Sequence, residues 1–380
     1  QMILRNTGRP CCTENLMAGF PGQKVYIFGL MLYSAGKDVA VNEVSRTSGV
    51  LLQLTVLDDF QDVSGQFGDW IALGPDVSVE VHQDHVTDDA ILIDRLRESF
   101  SVMCIRERTP IHRGILENLP NLKLICNTGM GNPSIDLDAA TELGILVSGT
   151  QTAGTFGTAE ITWALILASA RNVVAENLAV RQGKWQISVG FELRGKTLGL
   201  LGLGRIGGEV AKVGIAFGMN VIAWSQNLTQ ERCDELGVAL VTKDTLFDES
   251  DVLTIHLRLS SRTTGLVGEN ELNRMKRSSI IINSSRGPII NESALIHALK
   301  AGKIAGAGLD TFDVEPLPLA HELRTLQNTV ITPHLGYVST ESYESYYSQT
   351  IENISGYLNG NPLRVMNPDV LSNGKLRVAP

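Results

Sequence analysis

Three polar residues in the second half of the chain, Arg286, Glu315 and His334, each stand just past a short apolar run. The chemistry open to such a set is narrow. A guanidinium grips a carboxylate through a planar, two-point fork. An imidazole titrates near neutrality, so it can give a proton to a ketone oxygen and take it back from an alcohol. A carboxylate against that imidazole fixes its tautomer and favours its protonated form. Together they would hold a 2-oxo acid and move its proton. Each has a bland reading alone: a solvated surface arginine, an acidic loop residue, a structural histidine after Thr332-Pro333. Their order argues for chemistry, because all lie downstream of the string Gly202-Leu203-Gly204-Arg205-Ile206-Gly207.

That string needs a strand before it and a helix after it. Thr197–Leu201 reads as a buried strand, Arg205–Phe217 has helical spacing, and Asn220–Trp224 reads as the next strand. In that context the first glycine makes the tight turn and the second lets backbone approach a pyrophosphate. The third lets helix and strand pack closely, and the helix N-terminus offers its amides to the phosphates. Gly202, Gly204, Arg205, Ile206 and Gly207 are therefore candidates to bind a dinucleotide. The acid that usually follows at the end of the next strand is absent; Ser225 stands there, followed by Gln226-Asn227-Leu228-Thr229. Without a carboxylate to bond the ribose hydroxyls and repel an extra phosphate, the sequence permits NAD and NADP alike. Thr158, Ser285 and Asp310 complete the candidate cofactor surface. Asp310 could hold the nicotinamide amide or assist the Glu315–His334 pair.

Elements must position these residues. Arg286 follows the strand Ser279–Asn283, Glu315 follows the strand Ala305–Leu309, and His334 follows Val330-Ile331-Thr332-Pro333. In open parallel sheets the carboxyl edge is where ligands bind. Upstream, Val50–Leu57, Val102–Ile105, Leu122–Asn127 and Ile145–Ser148 read as strands, and Asp88–Ser99 as a helix. Thr158–Ala179 is expected to be one long helix with Ile161, Ala164, Leu165, Leu167 and Ala168 on its apolar face, after a small-residue hinge at Gly149–Gly157. A last helix spans Thr340–Leu358. Strands alternating with helices give an α/β chain of two doubly wound, Rossmann-like parallel-sheet domains. The expected division is an N-terminal extension at residues 1–49, a substrate-binding domain at 50–150 and 335–370, and an NAD(P)-binding domain at 151–334.

Composition sets the bounds. A chain of 380 residues exceeds one ordinary core, and 43% hydrophobic with 19% charged residues describes a globular protein. A net charge of −9 argues against nucleic acid or an anionic membrane as partner. The five cysteines (Cys11, Cys12, Cys104, Cys126, Cys233) form no C-x-x-C pair and no metal-ligand cluster, which fits a reduced, cytoplasmic setting. Val25–Tyr33 imitates a signal-peptide core but starts late, with little positive charge ahead of it. A mitochondrial presequence is a lesser alternative.

Four motifs in fixed order resemble the D-isomer-specific 2-hydroxyacid dehydrogenase family over roughly residues 50–367. They are the glycine string, Asn283-Ser284-Ser285-Arg286-Gly287, Gly308-Leu309-Asp310-Thr311-Phe312-Asp313-Val314-Glu315-Pro316 and Thr332-Pro333-His334-Leu335-Gly336. The resemblance implies a cleft between the two domains. It makes Arg286 the substrate clamp, His334 the acid/base and Glu315 its partner, with hydride passing between nicotinamide C4 and substrate C2. It also implies that backbone amides of Gly129-Met130-Gly131 meet the substrate carboxylate, with Arg106 and Arg108 nearby, and that the protein is a homodimer joined through its cofactor domain. The expected activity is reduction of small 2-oxo acids such as glyoxylate, hydroxypyruvate or pyruvate. Pro333 stands where similar formate dehydrogenases carry glutamine, which argues against formate. The chain ends soon after its last helix, so it resembles members without the regulatory C-terminal domains of longer phosphoglycerate dehydrogenases. The main alternative is an NAD(H)-sensing, corepressor-like scaffold on the same fold; phosphite oxidation is a third.

Overall fold

The computed structural model describes residues 51–151 and 156–378, together with the backbone of residues 23–26. Most of the extension at 1–49, the signal-like stretch, Cys11, Cys12 and residues 152–155 of the hinge lie outside the described residues. The chain divides into two compact units, one of Gln1–Asn127, Gly131–Gly149 and Ile351–Pro380, the other of Thr128–Met130 and Thr150–Thr350. Sequence reasoning put the return to the first unit just after His334. Here it falls inside the last helix, Thr340–Leu358.

The first unit holds β1 (Gln23–Tyr26), β2 (Leu52–Val56), β3 (Val77–His82), β4 (Ser99–Cys104), β5 (Leu124–Asn127) and β6 (Leu146–Ser148). They form one sheet in the order β1-β3-β2-β4-β5-β6. β2 to β6 are parallel, and β1 adds an antiparallel edge that no periodicity in the sequence announced. β4, β5 and β6 are buried along their whole length, as a parallel sheet covered on both faces requires. The helix expected over Asp88–Ser99 runs only Asp89–Leu96. The Asp88 carboxylate caps it by accepting from Ala90 and Ile91 N–H, and Ser99 opens β4 instead.

The second unit holds β7 (Thr197–Leu201), β8 (Asn220–Trp224), β9 (Ala239–Leu240), β10 (Val252–Ile255), β11 (Ile280–Asn283), β12 (Gly306–Leu309) and β13 (Thr329–Ile331). All are parallel, in the order β13-β12-β11-β10-β7-β8-β9. The order reverses between β7 and β10, the doubly wound switch point. Phe247, Leu253, Ile255 and Ile281 build the core on one face, while Trp163, Leu198, Val210 and Ile282 build it on the other.

Two expectations about the long helix fail. It is broken into Phe156–Ala170 and Val173–Arg181 by Asn172, whose φ of 52° is left-handed and cannot continue an α-helix. Its buried side is Ala159, Thr162, Trp163, Leu165, Ile166 and Ala170, so of the expected face only Leu165 is buried. A helix apolar nearly all round carries no stripe from which the buried face can be read.

Candidate functional site

The glycine loop is built as its spacing predicts. Gly202 leaves β7 at φ 108°, and a Cβ there would lie 2.7 Å from the His256 carbonyl oxygen at the end of β10. Gly207 sits one turn into the helix Arg205–Ala216, where a Cβ would stand 2.2 Å from the Gly202 carbonyl. Gly204 is different. It precedes the helix with ordinary negative φ, no side chain caps the first turn, and an added Cβ would meet nothing within 4 Å. Nothing inside the protein therefore demands a glycine there, and the open space before the uncapped first turn leaves room for a bound phosphate. The residues fit a dinucleotide.

A pair of variants separates these roles. Gly204→Ala should unfold like wild type, within about 1 kcal/mol, yet bind cofactor roughly ten- to a hundredfold more weakly as phosphate–amide contacts are lost. Gly207→Ala should lose stability, by about 1–3 kcal/mol, because backbone must move. Urea unfolding and fluorescence titration with NADH check both; equal affinity in Gly204→Ala contradicts the first.

Ser225 follows β8 half-buried, its carbonyl accepting from Leu228 N–H at 3.1 Å. Thr158 donates its hydroxyl to the Gly336 carbonyl at 3.0 Å, and Ser285 donates to the Ile255 carbonyl at 2.7 Å. Met130 is half-exposed, and a Cβ on Gly131 would meet no atom within 4 Å.

The polar residues stand at the carboxyl ends of adjacent strands, because β11, β12 and β13 pair in that order. His334 Nδ1 lies 2.7 Å from Glu315 Oε2, and the other carboxylate oxygen accepts from Phe312 N–H at 3.0 Å. Glu315 is thus held by its own loop, and Nε2 of His334 remains available for a proton. The Glu315–Pro316 peptide is cis. His334 itself has a left-handed φ of 56°. The turn that follows it is clamped by Asp310, whose Oδ1 accepts from the Thr332 hydroxyl (2.6 Å) and Leu335 N–H (2.7 Å) while Oδ2 accepts from Gly336 N–H (2.9 Å). Burial raises the Asp310 carboxyl above its ordinary value, opposed by these donors and by the charge of His334. Asp310 thereby fixes the backbone on either side of His334. Arg286 ends the turn after β11: Asn283 Nδ2 donates to its carbonyl at 2.9 Å, and its own Nη1 donates to the Ser285 carbonyl at 2.7 Å.

Two residues escaped sequence reasoning. The Tyr337 ring stands edge-on to His334 with centroids 5.4 Å apart, and nothing in the spacing marked that tyrosine. His256, at the switch point, bonds Thr254 Oγ1 at 3.0 Å and leaves Nδ1 buried without a hydrogen bond. Burial pushes its imidazole down to about 3 from the ordinary 6.5. Between those values the unfolded chain binds the extra proton, so this histidine's contribution to stability is complete above the unfolded pKa. It is lost as pH falls, with a slope approaching about 1.4 kcal/mol per pH unit. Replacing His256 by Gln should remove that slope in urea unfolding between neutral and mildly acidic pH. A difference from wild type that stays constant with pH contradicts this.

Residues 163–336 match the family model of the D-isomer specific 2-hydroxyacid dehydrogenase NAD binding domain. The chain is 41% identical to a glyoxylate reductase of Aeropyrum pernix over 267 residues, 68% of this chain and 80% of that protein. It is 36% identical to a hydroxypyruvate reductase of Thermotoga maritima, over 73% of this chain and 90% of that one. A crystal structure of phosphoglycerate oxidoreductase from Vibrio cholerae superposes with a TM-score of 0.78 at 35% identity, covering 81% of this chain and 99% of that one. These relatives are named for oxidoreductase activity, and none supports the scaffold alternative. Glycine loop, paired sheets and relatives converge: the chain belongs to the D-isomer-specific 2-hydroxyacid dehydrogenase family and is an NAD(P)-dependent oxidoreductase of 2-hydroxy acids.

Proposed function

We propose that the chain reduces small 2-oxo acids of the glyoxylate, hydroxypyruvate or pyruvate type, with His334 as acid/base, Glu315 as its partner and Arg286 as the carboxylate clamp. The 2.7 Å contact between His334 and Glu315, at the strand-end edge that also carries Arg286, is the observation that carries the reading. Glu315 takes the Nδ1 proton as its hydrogen-bond partner, so Nε2 is the atom that gives a proton to the ketone oxygen and recovers it from the alcohol. Arg286 orients the acid through its carboxylate. When bound, the reduced nicotinamide supplies the hydride. Gly202, Gly204, Arg205, Ile206 and Gly207 would hold its pyrophosphate, Ser225 its adenosine ribose, and Thr158, Ser285 and Asp310 border its nicotinamide end. Met130 and Gly131 are assigned to substrate. The unit rich in these cofactor residues is the NAD(P) domain, and the other is the substrate domain. Ser225 leaves both cofactors admissible.

The same reading makes the protein a homodimer, supported by the exposed Val173, Val174, Leu178, Val180, Trp185 and Val189 on one segment of the cofactor unit. A cytoplasmic site is supported by the free, buried thiols of Cys104, Cys126 and Cys233. No helix among the described residues is long and apolar enough to cross a membrane. A kinetic panel of 2-oxo acids against NADH and NADPH tests the function. Oxidation of at least one cofactor with one of these acids is expected. Inactivity across the panel would sink the proposal.

A further inference from the structure

The registers of β10, β7 and β8 place Ile255, Leu201 and Trp224 side by side, so the residues after them, His256, Gly202 and Ser225, open one carboxyl edge. Backbone bonds continue that line. His256 N–H donates to the Leu201 carbonyl at 2.9 Å, and Gly202 N–H to the Trp224 carbonyl at 2.9 Å. The segments leaving this edge, 202–208, 225–230 and 256–265, contain no Asp or Glu but three arginines, Arg205, Arg258 and Arg262. That runs against the balance of the whole chain, which has 41 Asp and Glu against 32 Lys and Arg.

Arg205 already belongs to the glycine loop, which leaves Arg258 nearest the edge, two residues past His256. Arg258 is exposed, and its guanidinium is in no ion pair among the described residues. Other exposed arginines of this unit do find carboxylates: Arg232 bonds Glu235 at 2.8 Å, and Arg274 bonds Asp248 at 2.6 Å. The backbone presenting Arg258 is held in place. Thr263 Oγ1 donates to the Arg258 carbonyl at 2.7 Å and accepts from Ser260 N–H at 2.8 Å, while the Thr264 hydroxyl donates to the Ser260 carbonyl at 2.9 Å. Neighbouring strands are spaced so that the ends of β10 and β8 stand roughly 10 Å apart, with Gly202 between them. A nucleotide laid over Gly202 thus has an uncommitted guanidinium on one side and, on the other, the hydroxyl of Ser225 with the exposed amides of Gln226 and Asn227.

We propose that this edge is a site for the adenosine 2′-phosphate, held between Ser225 and Arg258, and that the chain therefore prefers NADP(H) to NAD(H). The inference rests on the cofactor placement proposed above. A phosphate monoester carries about −1.5 to −2 charge near neutrality and offers three acceptor oxygens. A guanidinium fork matches that geometry in a bidentate contact. The diphosphate is served by the glycine-loop amides and the helix N-terminus, so it does not call on Arg258. A bare ribose hydroxyl carries no charge and would leave Arg258 unpaired. No carboxylate stands at the edge to repel the added phosphate.

Calorimetric titration of NADP+ and of NAD+ into the protein tests this without turnover. Wild type should bind NADP+ at least about tenfold more tightly than NAD+. Arg258→Leu should weaken NADP+ by roughly ten- to a hundredfold and NAD+ by less than about twofold, the latter showing that the fold is intact. Arg277→Leu removes an equal charge at the opposite, amino edge of the sheet, where its Nε donates to the Gly302 carbonyl at 3.1 Å, and should leave both affinities unchanged. Gly204→Ala tests the cofactor placement separately. If it binds both cofactors like wild type while Arg258→Leu still weakens NADP+ alone, the glycine-loop placement fails and the 2′-phosphate contact stands. NAD+ bound as tightly as NADP+, an equal or absent effect of Arg258→Leu on the two, or the same selective loss in Arg277→Leu overturns the inference.

Discussion

Replacing His334 by Gln should lower kcat for 2-oxo acid reduction by roughly two to four orders of magnitude, the range that one general acid supplies. Glutamine keeps a polar side chain near Glu315 but cannot gain and release a proton. The turn itself should survive, because Asp310 grips the Leu335 and Gly336 amides and the Thr332 hydroxyl independently of the imidazole. NADH should therefore bind within about twofold of wild type, since no contact to the glycine loop is lost. Steady-state kinetics and a fluorescence titration on the same preparation check both halves. Retained turnover would remove His334 from the chemistry, whereas lost NADH binding would show that the variant damaged the fold.

Arg286→Lys should be nearly as costly, lowering kcat/KM for the acid by about a hundredfold. The charge is kept, so a loss of that size measures the planar fork alone. The turn bearing Arg286 is held by Asn283, whose side chain donates to the Arg286 carbonyl and accepts from Ser285 N–H at 3.0 Å. Lysine inherits that backbone but reaches the carboxylate as a single flexible point charge. The expected signature is a large rise in KM with the cofactor dissociation constant unmoved. An equal loss of cofactor affinity would place Arg286 in the nucleotide site instead.

The parts of the molecule that were legible beforehand share one physical reason. A parallel strand buried on both faces leaves an apolar run, and its carboxyl end leaves a polar residue where ligands gather, so Gly202, Arg286 and His334 could be located from local pattern alone. The Glu315–His334 pair followed from the family's motif order, and its side chains do meet. What stayed hidden depends on contacts between distant segments or on single dihedral angles. The break at Asn172 rests on a left-handed φ in a residue that tolerates either hand. The buried face of Phe156–Ala170 is chosen by the sheet and the glycine helix, not by the helix's own sequence. The clamp at Asp310 needs donors more than twenty residues further on. The link between Asp58 and Thr109 spans 51 residues and leaves no trace in spacing.

This chain is expected to move hydride onto C2 of a 2-oxo acid and a proton onto its ketone oxygen, giving the D-hydroxy acid. Reduction of glyoxylate, hydroxypyruvate and pyruvate with cofactor deuterated at C4, followed by mass and chiral analysis of the product, tests it most directly. Deuterium is expected at C2 of the hydroxy acid, and for pyruvate the D-isomer. An unlabelled product, an L-product or no product at all would contradict it.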